Sequence, residues 1–150
     1  MSYNTAQPHI ASYVLVRKNG KIAFVLRSNT DWMNNFYGLP SGKVEKGESY
    51  SAAAAREAKE EIGIDIDPSD LTAVHICHRY EPSSQANDWV DTFFEAAKWK
   101  GEPFNAEPEI HSKLEWLDLK NLPDNVIISV KYVLEQIEAG QTYSEYGWNS

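Results

Sequence analysis

The stretch GKVEKGESYSAAAAREAKEEIGI, residues 42–64, decides how the rest of the chain is read. Its second half, YSAAAAREAKEEI, is built from alanine, glutamate, lysine and arginine, all strong helix formers. Ser49 stands where an N-cap hydroxyl belongs, and Gly63 where a left-handed residue ends a helix. Glu57, Glu60 and Glu61 stand at i, i+3 and i+4, so a helix puts their carboxylates, with Ala53, on one side. Ser51, Ala55, Ala58 and Ile62 fall opposite and are expected to form the buried stripe, their small side chains letting the helix lie close to a sheet. Like charges at this spacing cost a helix about 0.2–0.5 kcal/mol per pair. A solvated acidic face would explain the cluster without any function. The cluster alone does not choose between that and a site needing three carboxylates together.

Working outward, IASYVLVRKNGKIAFVLRS reads as two β-rich runs around Asn19-Gly20, a strong hairpin signal. The segment between it and the helix, NTDWMNNFYGLPSGKVEKGES, is loop-like, with one short strand at its end. After the helix, LTAVHICHRY and WVDTFFEAAKW are expected strands separated by the polar loop EPSSQAND. A second polar loop, GEPFNAEPEIHSK, leads to a short strand LEWLDL, and NVIISVKYVLEQIEAG is an amphipathic helix ended by Gly140. The order β-β-α-β-β-β-α predicts an α+β fold, a mixed sheet flanked by helices. There are no repeats and no linker-like breaks in composition.

At 150 residues the chain is long enough to bury a real core and is read as one domain over residues 1–150. Its net charge of −8 argues against a general nucleic-acid binder, and means that a polyphosphate needs cations to approach. Cys77 is the only cysteine, which excludes an internal disulfide and a thiolate zinc site. No apolar run reaches the ~18 residues of a membrane span, and MSYNTAQPHI lacks the apolar region of a signal peptide. A cytoplasmic protein without membrane contact is expected.

The spacing within residues 42–64 resembles the signature of the Nudix hydrolases, Gx5Ex7REUxEExGU with U apolar. Gly42, Glu48, Arg56, Glu57, Ala58, Glu60, Glu61, Gly63 and Ile64 fill it, Ala58 being the weakest match. FYGLPSGKVEKGES, WKGEP and LEWLDLKNLP are similar to the family's flanking segments, so the likeness covers roughly residues 9–140. It implies the Nudix fold, an α-β-α sandwich. It also implies Mg²⁺- or Mn²⁺-dependent cleavage of a diphosphate linkage by water. Hard divalent cations want oxygen ligands, and they would relieve the repulsion among the glutamates.

By the resemblance, Glu60 and Glu61 are the principal metal ligands, and Glu57 is another ligand or the base. Arg56 orients a glutamate, with Glu48 its first candidate partner; an exposed i,i+4 pair with Glu60 is the plain reading. Gly42 provides a sharp turn onto the helix. Ser41 stands where many members have glycine, and its backbone carbonyl would be a metal ligand; a left-handed φ there would not suit serine. In the oxidised-nucleotide-sanitising (MutT-like) members a further acidic ligand follows a WxGEP-like segment, and Glu107 fits it best, with Glu109 second, unless both are solvated loop charges. Arg27 matches a phosphate-contacting position but also reads as an exposed strand-end arginine. Asn125 matches a purine-reading asparagine, and a helix N-cap is its preferred reading. His75, His78 and His111 have no metal-like spacing, and Trp32, Phe36 and Tyr37 default to core packing.

The expected activity is hydrolysis of a nucleoside triphosphate, an oxidised or non-standard purine included, to a monophosphate and pyrophosphate. An ADP-ribose or nucleotide-sugar pyrophosphatase is the alternative enzyme, although Tyr80 and Pro82 fit neither marker spacing cleanly and no coenzyme A motif is evident. A ligand-binding module without turnover is the alternative class, and the intact acids argue against it. A homodimer is expected only from the family. The aromatic tail TYSEYGWNS has no clear pattern.

Overall fold

Asn19 and Gly20 both take positive φ, 55° and 77°, as a two-residue hairpin turn of the primed type requires. The turn joins β2 (Arg17–Lys18) to β3 (Lys21–Arg27), but the preceding strand β1 (His9–Leu15) does not continue the ladder. The last shared bond runs from the Ala23 N–H to the Val16 carbonyl at 3.1 Å, and beyond it β1 leaves for a second sheet. The two runs around Asn19-Gly20 are therefore not one long hairpin. Both lie between two packed layers, and the switch lets one continuous apolar segment contribute to each. The computed structural model describes residues 4–82 and 86–148; residues 1–3, residues 83–85 of the expected polar loop and the last two residues of the tail lie outside the described residues.

In the smaller sheet β3 pairs with β2, with β4 (Tyr37–Gly38) and, antiparallel, with β8 (His111–Asp118). The larger sheet has β1 between β5 (Ser41–Lys43) and β7 (Asp88–Ala96), followed by β6 (Leu71–Tyr80) and β9 (Tyr143–Tyr146). The β1–β7 and β6–β9 pairs are parallel and the others antiparallel. The expected α+β architecture of mixed strands with helices is present, its strands divided between two sheets. Tyr13 and Phe93 of the larger sheet and Phe24 and Leu117 of the smaller one join a single core cluster with Val130, Val133 and Leu134.

Helix α1 (Tyr50–Ile62) begins with the Ser49 hydroxyl accepting the Ala52 N–H at 3.1 Å and ends at Gly63, whose φ is 71°. Ala54, Ala58 and Ile62 pack on Val14, Val16 and Phe94. The expected buried stripe is only half right, because Ser51 and Ala55 are merely half buried while Ala53, Glu57 and Glu61 are buried. A second surface, made by β5 and the loop before β8, covers the helix flank that carries those glutamates.

Helix α2 (Ile128–Glu138) buries Val130, Val133 and Leu134 and packs on β6 and β9. It has no side-chain cap: its N-cap position is Ile127, and the expected cap residue Asn125 instead donates its amide to the Asn35 carbonyl at 2.8 Å. Asn125 sits too early in the turn, because the backbone first pairs with Tyr37 before it enters the helix. The tail also has a definite place. As β9 it lies parallel to β6, where the His75 ring joins the Gln141 carbonyl at 2.9 Å and the Ser144 hydroxyl at 2.7 Å. Among the described residues, no helix is long and apolar enough to cross a membrane.

Candidate active site

Glu57 and Glu61 lie one turn apart on α1, only 9% and 7% exposed. Two neighbours explain how they are held. Gly42, in the middle of β5, faces the Glu57 carboxylate so closely that a Cβ would overlap it. The φ of Gly42 is not positive, so its glycine is demanded by close approach and not by the turn expected from the sequence. Ser41, beside it, donates its backbone N–H to Glu61 Oε1 at 3.3 Å, and it too has no left-handed φ. The substitution of glycine by serine at this position therefore carries no strain.

Arg56 ties the helix to the preceding loop. Its Nε and Nη2 donate to the two Glu48 oxygens at 2.7 and 3.0 Å, its Nη1 to Glu57 Oε1 at 2.7 Å, and its Nη2 to the Lys43 carbonyl at 3.1 Å. The exposed pair with Glu60 is longer, 3.4 Å. Arg56 and then the Glu45 N–H hold the Glu48 carboxyl well below the ordinary carboxylate range. Glu60 faces outward with its side chain 48% exposed, so the structure separates it from the buried pair Glu57 and Glu61.

Burial, followed by repulsion from Glu57, pushes the Glu61 carboxyl well above its ordinary value, while the Ser41 N–H opposes the shift. Burial also raises Glu57, against the opposing pull of Arg56. The two carboxyls lie close enough that ionising one disfavours ionising the other. Glu107 joins from the next loop: Phe104 and Ala106 donate their N–H groups to the carbonyls of Ile62 and Glu61, at 3.0 and 3.1 Å. Strapped there, the half-buried Glu107 carboxyl is raised by burial and then by Glu60 and Glu109. Glu109 is exposed.

Arg27 ends β3 with its Nε on the Trp32 carbonyl at 3.0 Å and its guanidinium 5.3 Å from the Trp32 ring centre. It borders a small cavity of about 30 Å³ shared with Ser41, Glu61 and His111, and a wider cleft of about 450 Å³ lined by Trp32, Gly42, Lys43 and Trp89. Asn125 borders neither. His111 was not legible as part of this centre. It is 2% exposed, with Nε2 4.0 Å from Glu61 Oε1, and burial followed by the Arg27 charge lowers its pKa to about 4. Nothing in the spacing of the histidines carried that signal. His78 is elsewhere, on Asp88 at 2.7 Å.

Among the described residues, no three His, Cys, Asp or Glu side chains already converge as a formed metal site. The donor set nevertheless fits a hard divalent cation. Glu57 and Glu61 are buried oxygen donors; among the described residues Arg56 pairs with Glu57 and Glu48, while no Lys or Arg forms an ion pair with Glu61.

The chain matches the model of the NUDIX domain over residues 7–137. It is 31% identical over 99 residues to an 8-oxo-dGTP diphosphatase of Proteus vulgaris, a match covering 63% of this chain and 80% of that one. It is 27% identical over 139 residues to an RNA pyrophosphohydrolase of Pelagibacter ubique, covering 83% and 85%. Its fold resembles the crystal structure of a MutT Nudix hydrolase from Burkholderia pseudomallei, with a TM-score of 0.77, 28% identity and coverage of 87% and 98%. Signature, fold and matches agree: the chain belongs to the Nudix family and is a pyrophosphohydrolase of that family.

Proposed function

We propose that the protein hydrolyses a nucleoside triphosphate, oxidised or non-standard purine nucleotides included, to the monophosphate and pyrophosphate with Mg²⁺, Mn²⁺ serving as an alternative. The observation that carries the reading is the buried pair Glu57 and Glu61, one turn apart on α1, with Arg27 lining the same cavity as Glu61. Glu57, Glu61 and the Ser41 carbonyl would hold the ion, with Glu60 and Glu107 completing the acidic rim. A bound divalent cation neutralises phosphate charge and lowers the pKa of a coordinated water.

The chain's own residues supply the rest. Arg56 fixes Glu57 by Oε1 and anchors it to the loop through Glu48, so the carboxylate does not need to reorganise during turnover. Arg27, lining the 450 Å³ cleft and partly stripped of water, binds a substrate phosphate there. Glu57 serves either as a ligand or as the group that takes the water's proton. The likeness to an 8-oxo-dGTP diphosphatase over 99 residues supports a nucleoside triphosphate as substrate.

A nucleotide panel assayed with Mg²⁺ for phosphate and pyrophosphate tests the reading. Pyrophosphate released from a (deoxy)nucleoside triphosphate is expected, and its loss in excess EDTA. Turnover of ADP-ribose or nucleotide sugars alone would replace the substrate class, and no turnover with any substrate and metal would favour a binding module.

A further inference from the structure

We infer that His111 is a positioning residue for Glu61, aiming its carboxylate through a hydrogen bond to Oε1 so that Oε2 is left for a divalent cation. The inference rests on the metal-site reading above. His111 opens β8 at the place where the ladder with β3 slips: Leu26 pairs with Lys113, but Arg27 pairs with His111, leaving Ser112 as an extra residue. Such bulges re-aim side chains beside functional sites.

The backbone of His111 is pinned on both sides, its N–H donating to the Glu107 carbonyl at 3.0 Å and its carbonyl accepting from Asn105 Nδ2 at 2.9 Å. These bonds fix the point from which the ring leaves the backbone. It is buried, its Nδ1 has no hydrogen-bond partner, and its Nε2 faces Glu61 Oε1 at 4.0 Å. A neutral imidazole carries one proton, and with no acceptor at Nδ1 the tautomer protonated on Nε2 suits the site.

The same Oε1 already accepts the Ser41 N–H at 3.3 Å, and the His111 ring faces it from 4.0 Å, so the proposed bond would add a second donor to one oxygen of Glu61. The small cavity bordered by His111, Glu61, Arg27 and Ser41 gives the carboxylate room to close the remaining gap. Among the described residues the ring makes no side-chain hydrogen bond, so its share in the metal-free fold is packing, which glutamine and methionine of similar length largely keep. Its use appears when the Glu61 carboxylate must be held ionised and in one orientation.

His111→Gln and His111→Met test this, because the two replacements are similar in length and only the first can donate a hydrogen bond. The readouts are Mn²⁺ affinity, by electron paramagnetic resonance titration of the protein without nucleotide, and melting without metal. His111→Met should bind Mn²⁺ at least ~10-fold more weakly than the parent, and His111→Gln within about threefold of it. Both should melt close to the parent when metal is absent. Parental Mn²⁺ affinity in His111→Met, or equal losses in the two variants, overturns the proposal. Failure of either variant to fold also overturns it, since the role assigned is felt only through the ion. Glu61→Gln is titrated alongside: if it binds Mn²⁺ as the parent does, the metal-site reading itself fails, independently of His111.

Discussion

Replacing Gly42 by alanine places a methyl group against the Glu57 carboxylate. Oε2 would lie 2.7 Å from the new Cβ, and Oε1 and Cδ closer still, while ordinary contact begins at 3.4 Å, so the carboxylate must retreat by well over the ~0.7 Å that Oε2 alone would need. Gly42 is in β5 with no positive φ, so the backbone itself accepts alanine. The retreat stretches the 2.7 Å bond from Arg56 Nη1 to Glu57 Oε1. Losing a charged, half-buried hydrogen bond costs about 1.5–3 kcal/mol. Reduced freedom of the unfolded chain returns roughly 0.4–1 kcal/mol. A net destabilisation of about 1–2 kcal/mol follows, together with a turnover loss of roughly 10- to 10²-fold from the displaced carboxylate. Gly47→Ala separates the two effects. Gly47 has φ +85° but open space around it, so alanine there strains the backbone without touching Glu57. Urea melts and steady-state kinetics on both variants make the comparison. Comparable stability losses with turnover lost only in Gly42→Ala are expected. Parental turnover in Gly42→Ala would refute the idea that Gly42 sets the Glu57 position that catalysis uses.

Four further outcomes are expected. Arg56→Lys keeps the charge but loses the fork onto Glu48 and Glu57, and should cost about 1–3 kcal/mol in a denaturant melt as well as turnover; equal stability would contradict the anchoring role. Between the ordinary carboxyl pKa of 4.5 and the raised pKa of Glu61, the folded state binds more protons than the unfolded one, so Glu61 lowers metal-free stability as pH rises through that window. Metal-free Glu61→Gln should therefore gain on the parent as pH rises above 4.5, a comparison that cancels the opposite contribution of His111 between pH 6.5 and about 4; a pH-independent difference would count against it. Arg27→Ala should raise the KM for a nucleoside triphosphate by about 10-fold or more through a lost charged phosphate contact, with metal affinity unchanged; an unchanged KM removes Arg27 from the substrate site. Glu57→Gln should be nearly inactive, and partial recovery at higher pH would mark Glu57 as the base, whereas no recovery would mark it as a ligand.

Local signals in the chain were read well where they depend on short range. The caps Ser49 and Gly63 bound α1 as expected, and β6 runs from Leu71 to Tyr80, the whole of the expected strand LTAVHICHRY. What could not be read depends on a second surface. The buried flank of α1 shifted because two elements cover it, and a helical wheel can represent only one. Gly42 is glycine because of a side chain fifteen positions later, and a local turn rule cannot see that contact. His111 is brought to Glu61 by a bulge in a ladder between strands far apart in sequence. β9 was hidden because its pairing with β6 is parallel and anchored by His75 and Ser144, neither of which is apolar.

The most direct test of the central claim, that the buried glutamates of α1 form a metal-dependent hydrolytic centre, is the turnover of Glu61→Gln at saturating Mg²⁺ on a nucleotide that the parent cleaves. The substitution keeps the side chain's size and removes a buried charge that an inert helix face would not miss. A fall of at least ~10²-fold, about 2.7 kcal/mol of lost transition-state stabilisation, is predicted, with metal-free melting held or raised. Near-parental turnover would contradict the account.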